Sequence, residues 1–204
     1  MRVCMPLIAS LAVALSSQAS ADPFNDLTKG GGDACFQRVY DAAHLAKNPR
    51  QRVTSMTLWI NGSPKASGNV ALALTRRNDP QAIFLAAGCD WEEYKPGQKS
   101  WMTVFKKRAG AGCITLAVPD VFEASSAEEG GGVILDPAPD GKSLTVYLDD
   151  SQSMVKRANR SKPVSLELGA DDRVFLLRRT DLKNCTAAKA VSYTHLTLPT
   201  NREV

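Results

Sequence analysis

The segment Thr54-Ser55-Met56-Thr57-Leu58-Trp59-Ile60-Asn61-Gly62 decides the fold class. Successive side chains of an extended chain point to opposite faces, so Met56, Leu58 and Ile60 share one face. Trp59 falls on the other face and reads as exposed. Asn61-Gly62 is a turn dipeptide, because both residues tolerate positive φ. The same short-period pattern continues downstream. Asn69–Leu74 alternates large and small residues, and Asn78-Asp79-Pro80 marks a turn. Ile83-Phe84-Leu85 then leads to Cys89. Trp101–Phe105 and Cys113–Val118 are further strand candidates. Gly132–Leu135 and Leu144–Leu148 read as a hairpin across Asp140-Gly141, and Val164–Leu168 and Arg173–Leu177 are joined through Gly169. This makes about nine short strands with turns between them, which argues for an antiparallel barrel or sandwich. A parallel sheet would need a helix between successive strands, and the pattern shows none.

Upstream, Asp33 can cap one short N-terminal helix running to Leu45, which Asn48-Pro49 ends. Asp22–Gly32 is polar, closes on Gly30-Gly31-Gly32 and reads as a flexible lead-in. The expected fold is therefore all-β: a single antiparallel β-barrel or β-sandwich over residues 33–190, with one short N-terminal helix.

The two ends read differently. Met1–Ala21 has a basic residue, Arg2, an apolar run from Met5 to Leu15, and small residues at Ala19 and Ala21. That is the pattern of a cleavable signal peptide, with cleavage before Asp22. The run is shorter than the roughly 20 apolar residues that span a bilayer. Cys4 precedes the run, where it cannot serve as a lipid anchor. The last residues, Val191–Val204, resemble a translated sequencing-adaptor artefact, which makes this tail non-native and excludes His195 from the chemistry.

The chain has 25 Lys+Arg and 21 Asp+Glu, a net charge of +4. The signs are interspersed, which is no nucleic-acid footprint. No second apolar stretch can cross a membrane, so the mature chain has no expected membrane span. Export implies an oxidising compartment, periplasmic or secreted. The four cysteines after the signal then read as disulfides. Cys35–Cys185 would tie the ends of the domain, and Cys89–Cys113 would close a local loop. The crossed pairings stay open on sequence alone. A metal site needs close ligand pairs, but the chain has no CxxC and His44 is its one histidine before the tail. No metal or cofactor is expected.

A catalytic dyad would have to use His44, which otherwise reads as a helix-surface residue near Tyr40 and Asp41. No GxSxG, HExxH or phosphate-loop motif occurs, and no catalytic residue is assigned. Acidic pairs at Glu92/Glu93, Glu128/Glu129, Asp149/Asp150 and Asp171/Asp172 sit at strand ends and loops, where solvated turn carboxylates are the plainer reading. Glu128, Glu129, Asp149, Asp150 and Trp91 are the candidate binding residues, in loops Glu123–Gly132 and Asp149–Ser153 and on an indole able to line a pocket. Arg76-Arg77, Lys106-Lys107-Arg108 and Arg178-Arg179 flank apolar strands. They can recognise an anionic partner or simply discourage edge pairing.

Two stretches carry a resemblance. Cys35-Phe36-Gln37-Arg38-Val39-Tyr40-Asp41-Ala42-Ala43-His44-Leu45 is one, and Asp171–Arg179 followed by Cys185 is the other. Together they resemble a group of small exported proteins of Gram-negative bacteria. The resemblance implies a periplasmic domain that ends soon after its last cysteine, and implies no activity. The expected function is a non-catalytic periplasmic binding module, taking a protein partner such as a hydrolase, or a small apolar ligand in a barrel mouth. The alternatives are a hydrolase using carboxylates or His44, and a structural envelope protein.

Overall fold

Alternation along the decisive segment becomes an inside and an outside. The computed structural model describes residues 22–29, 31–62, 69–93, 109–116, 131–156 and 159–192. Strands β1 (Ala34–Val39), β2 (Val53–Ile60), β3 (Asn69–Arg76), β4 (Asp79–Glu93), β5 (Ala109–Leu116), β6 (Gly132–Pro137) and β7 (Ser143–Leu148) follow in order. A hairpin of β8 (Ser151–Lys156) and β9 (Asn159–Glu167) precedes the last strand, β10 (Val174–Arg179). Strands β1 to β7 pair in sequence order, and β10 pairs with both β7 and β1. The result is a closed antiparallel barrel of eight strands. The choice left open by the sequence, barrel or sandwich, falls on the barrel.

Closing a meander of this size leaves an interior that side chains just fill. Phe36, Met56, Leu58, Leu72, Ile83, Leu135, Val146, Phe175 and Leu177 fill it, and all are buried. Residues between them on the same strands point outward. On β1–β4 these are Cys35, Trp59, Ala71, Ala73 and Phe84, which form a second buried cluster with Cys185 and Ala188. The cover is the chain's last part, a 3₁₀ turn at Leu182–Cys185 running into helix α3 (Thr186–Ser192). The small side chains of Ala71 and Ala73 explain the large–small alternation of β3: they let α3 approach the wall.

Both disulfides follow from this arrangement. Cys35–Cys185 ties the outer wall to the covering turn across 150 residues of sequence. Cys89–Cys113 links facing positions of β4 and β5 inside the barrel.

Several local readings need correction. The helix expected from Asp33 to Leu45 is instead strand β1 followed by helix α2 (Ala42–Lys47). Asp41 caps α2, its carboxylate accepting from the His44 amide at 2.7 Å. Asp33 accepts from Trp59 Nε1 at 3.0 Å and from the Gly62 amide at 3.3 Å. Burial on both faces explains the weak signal of β1, since Phe36 points in and Cys35 points out. Trp59, read as exposed, is 1% exposed because α3 covers it. The turn after β3 is Arg77-Asn78, and Asp79-Pro80 already belongs to β4. Asp149–Ser153 is not all loop, since β8 begins at Ser151. Asp22–Gly32 contains helix α1 (Pro23–Asp26), and Phe24 and Leu27 join the interior cluster. The hairpin across Asp140-Gly141 forms as expected, with Gly141 at φ +64°. Trp101–Phe105 lies outside the described residues.

Candidate functional site

Because the strands alternate in direction, the end of β1, start of β2, end of β3 and start of β4 share one end of the barrel. So do the end of β7 and the start of β10. At this rim a cleft of about 880 Å³ opens between three segments: Pro49–Arg52, Arg76–Asp79 and Gly169–Asp171.

A polar mesh holds the segments in place. Asp172, 1% exposed, accepts the Arg52 amide at 2.8 Å and the Val53 amide at 2.9 Å. It thereby pins the start of β2 to the 3₁₀ turn Ala170–Asp172. Buried Gln51 donates through Nε2 to the Val53 carbonyl at 2.8 Å. Its Oε1 lies 3.0 Å from His44 Nε2. Asn48 Nδ2 lies 3.3 Å from the same ring nitrogen, so the imidazole joins both side chains of this loop. Arg77 reaches across the loop, Nε donating to the Gln51 carbonyl at 2.7 Å and Nη2 to those of Leu45 and Asn48 at 2.5 and 2.9 Å.

The charges lining the cleft do not balance. Arg50, Arg52, Arg76 and Arg77 face it with only Asp79 and Asp171. Arg50 forks onto Asp171, Nε at 3.1 Å and Nη2 at 3.4 Å. Arg76 Nη2 and Lys156 Nζ share one oxygen of Asp79, at 3.1 and 2.9 Å. The Lys156 hydrogen bond holds the Asp79 carboxyl below its ordinary range, with the Arg76 bond adding to it. Arg76 Nε is buried with no hydrogen-bond partner among the described residues. Arg52 is exposed and its guanidinium contacts no carboxylate among them.

Of the charges weighed in the sequence, Arg76, Arg77 and Asp171 line the cleft, whereas the candidate binding residues fall elsewhere. Asp149 lies at the same barrel end, 3.6 Å from Arg173, and its amide donates to the Gly132 carbonyl at 3.0 Å. The Asp150 carbonyl accepts from the Leu168 amide at 2.7 Å. Neither side chain lines the cleft. Trp91 lies towards the other end on β4, half-buried against the interior cluster, with Nε1 buried and unpartnered among the described residues. Glu128 and Glu129 lie outside the described residues, so Asp149, Asp150 and Trp91 are the ones placed, and they do not converge.

His44 stacks on Tyr40 with ring centroids 4.6 Å apart. Burial pushes the Tyr40 hydroxyl above its ordinary pKa, partly offset by Arg38 beside it. Asp41 engages the His44 amide and not its ring. The imidazole's observed work is to hold the Gln51 loop that supports the cleft. Among the described residues, no three His, Cys, Asp or Glu side chains gather as metal ligands.

Arg50 and Arg52 were not legible as site residues. The only signal was Arg-x-Arg just before a strand and Arg-Arg at a hairpin, and no spacing rule links the two. Compared with protein-family models, curated proteins and solved structures, the chain matches none.

Proposed function

We propose that the chain is an exported, non-catalytic binding module that takes its ligand at the barrel rim and not inside the barrel. The observation carrying this reading is the contrast between a barrel interior filled by its own side chains and an open cleft at one end. Binding sites usually offer a concavity with a few converging polar groups, and the rim does so through arginines on a backbone pinned by Asp172 and by the Arg77–Arg52 amide–carbonyl bond. A small apolar ligand in the barrel mouth fits less well, because the cleft is lined by arginines and carboxylates. Export through Met1–Ala21 into an oxidising compartment accords with the two disulfides. No helix among the described residues is long and apolar enough to cross a membrane.

The test is native mass spectrometry of the protein purified from the periplasm without reductant, paired with photo-crosslinking from Asn78 at the cleft edge. A bound small molecule or partner chain, with crosslinks from Asn78, is the expected result. A bare chain with no crosslink from that position would sink the reading.

A further inference from the structure

We propose that the rim cleft binds a small molecule bearing two or more oxyanion groups, carboxylate or phosphate, with Arg52 and Arg76 as the gripping residues. This inference rests on the rim as the binding surface and adds the ligand's chemistry.

Four guanidiniums line the cleft against two carboxylates. The carboxylates are already spent: Asp171 on Arg50, and Asp79 on both Arg76 and Lys156. Arg77 gives its hydrogen bonds to three backbone carbonyls. Carbonyls hold it in place but leave its positive charge uncancelled. Arg52 has no acidic partner among the described residues, and Arg76, which lines the cleft, spends one nitrogen, Nη2, on Asp79. The surplus is therefore positive and local, which attracts anions and repels cations.

The donors also have the right shape. A guanidinium presents paired N–H groups that match the two oxygens of a carboxylate or phosphate. These arginines are presented by fixed backbone, since Asp172 pins the Arg52 amide and the Arg77 amide donates to the Arg52 carbonyl at 2.9 Å. Preorganisation of this kind lowers the ordering cost of binding. The cleft volume, about 880 Å³, is far larger than one phosphate needs and lies within the range of small-molecule sites. A nucleic-acid backbone fits poorly, because the chain's net charge is only +4 and the surplus is one cleft, not a stripe.

The experiment is titration calorimetry of the disulfide-intact protein with inorganic pyrophosphate and, separately, with citrate, at fixed ionic strength, with glucose as the neutral control. At least one anion should bind saturably, more weakly as salt rises, while glucose does not. Tighter pyrophosphate binding points to a phosphate-bearing ligand, and tighter citrate binding to a polycarboxylate. Arg52→Gln should weaken binding on the order of tenfold, the loss of one charged hydrogen-bonding group, and leave the melting temperature unchanged. Arg52→Glu should abolish it. No saturable binding by either anion, or equal binding by Arg52→Glu, overturns the inference. If neither anion binds but a periplasmic partner still crosslinks from Asn78, the oxyanion chemistry fails while the rim surface stands. If the anions bind in an Arg52-dependent way, the cleft chemistry holds whatever the native mass spectrum shows.

Discussion

On the outer wall over β1–β4, Asp33 takes a 2.6 Å ion pair from Lys189, the Trp59 indole N–H and the Gly62 amide. At the rim, two cations share Asp79, Arg77 is held by neutral carbonyls, and Arg52 faces solvent. Both regions contain fixed, partly buried polar groups, yet one is balanced in charge and the other carries surplus cations. Compensation is what a stability element needs, because an uncompensated charge near a low-dielectric wall is costly. A surplus kept in place by hydrogen bonds to backbone is what a binding surface needs. Placement alone thus separates the parts of the chain that hold the barrel from the part expected to act.

Breaking the wall should give the largest effect. Replacing both Cys35 and Cys185 with alanine frees a loop of 150 residues. Chain entropy puts that loss at about 5 kcal/mol, against about 3.5 kcal/mol for the 24-residue Cys89–Cys113 bridge. Denaturant titration of the two double mutants checks the ranking. A larger loss for Cys89–Cys113 would move the critical staple from the wall to the interior.

Next in size is a rim residue that behaves like the wall. Asp172→Ala strands the Arg52 and Val53 amides that its buried carboxylate satisfies. Unsatisfied buried donors cost about 1–3 kcal/mol each, so a loss of about 3 kcal/mol is expected from equilibrium unfolding. A change below 1 kcal/mol would mean that water replaces the carboxylate and that the cleft floor is softer than its hydrogen bonds imply.

The fold class was legible because β7 and β10 alternate buried and more exposed residues and because β2 and β3 set large apolar residues at every second position, Met56, Leu58, Ile60 and Val70, Leu72, Leu74. Two strands were not. In β1 both faces are buried, by the interior around Phe36 and by the disulfide at Cys35, so alternation vanishes and Asp33 passes for a helix cap. In β8, Gln152 and Met154 point inward, and a buried amide reads as a loop residue until Gly132 is seen to accept from its Nε2 at 3.0 Å. Burial of Trp59 depends on α3, which arrives from the far end of the sequence. The cleft was only half legible for the same reason: Arg76-Arg77 stood out as a possible anion contact, but Arg50 and Arg52 come from a separate rim segment and only barrel closure makes them neighbours.

Acid should erode the wall through Asp33. Burial disfavours its charge, but the hydrogen bonds from Lys189, Trp59 and Gly62 outweigh that and hold its pKa below the ordinary carboxylate value. A carboxylate whose folded pKa lies below its unfolded one stabilises fully above about pH 4 and loses that contribution as pH falls through the folded value. The melting-temperature gap between wild type and Lys189→Met should therefore be constant near neutrality and shrink below about pH 4. A gap that persists undiminished in acid would assign Lys189 a packing role over the Trp59 ring, where its Nζ sits 5.6 Å from the centroid.

The smallest effect is the sharpest test of the comparison, and it uses two arginines of one cleft. Arg77→Ala removes a guanidinium bonded to three carbonyls that tie the α2–β2 loop to the β3–β4 turn. A loss of about 1–2 kcal/mol follows, since the bonds are charge-assisted but partly exposed. Arg52→Ala removes a side chain with no such ties, and exposed positions of that kind change stability by less than about 0.5 kcal/mol. Chemical denaturation of both variants measures the split. Equal losses would make Arg52 part of the scaffold and erase the distinction between wall and rim. A silent Arg52→Ala leaves a cation that the fold does not require, on a cleft whose carboxylates are already engaged by other cations.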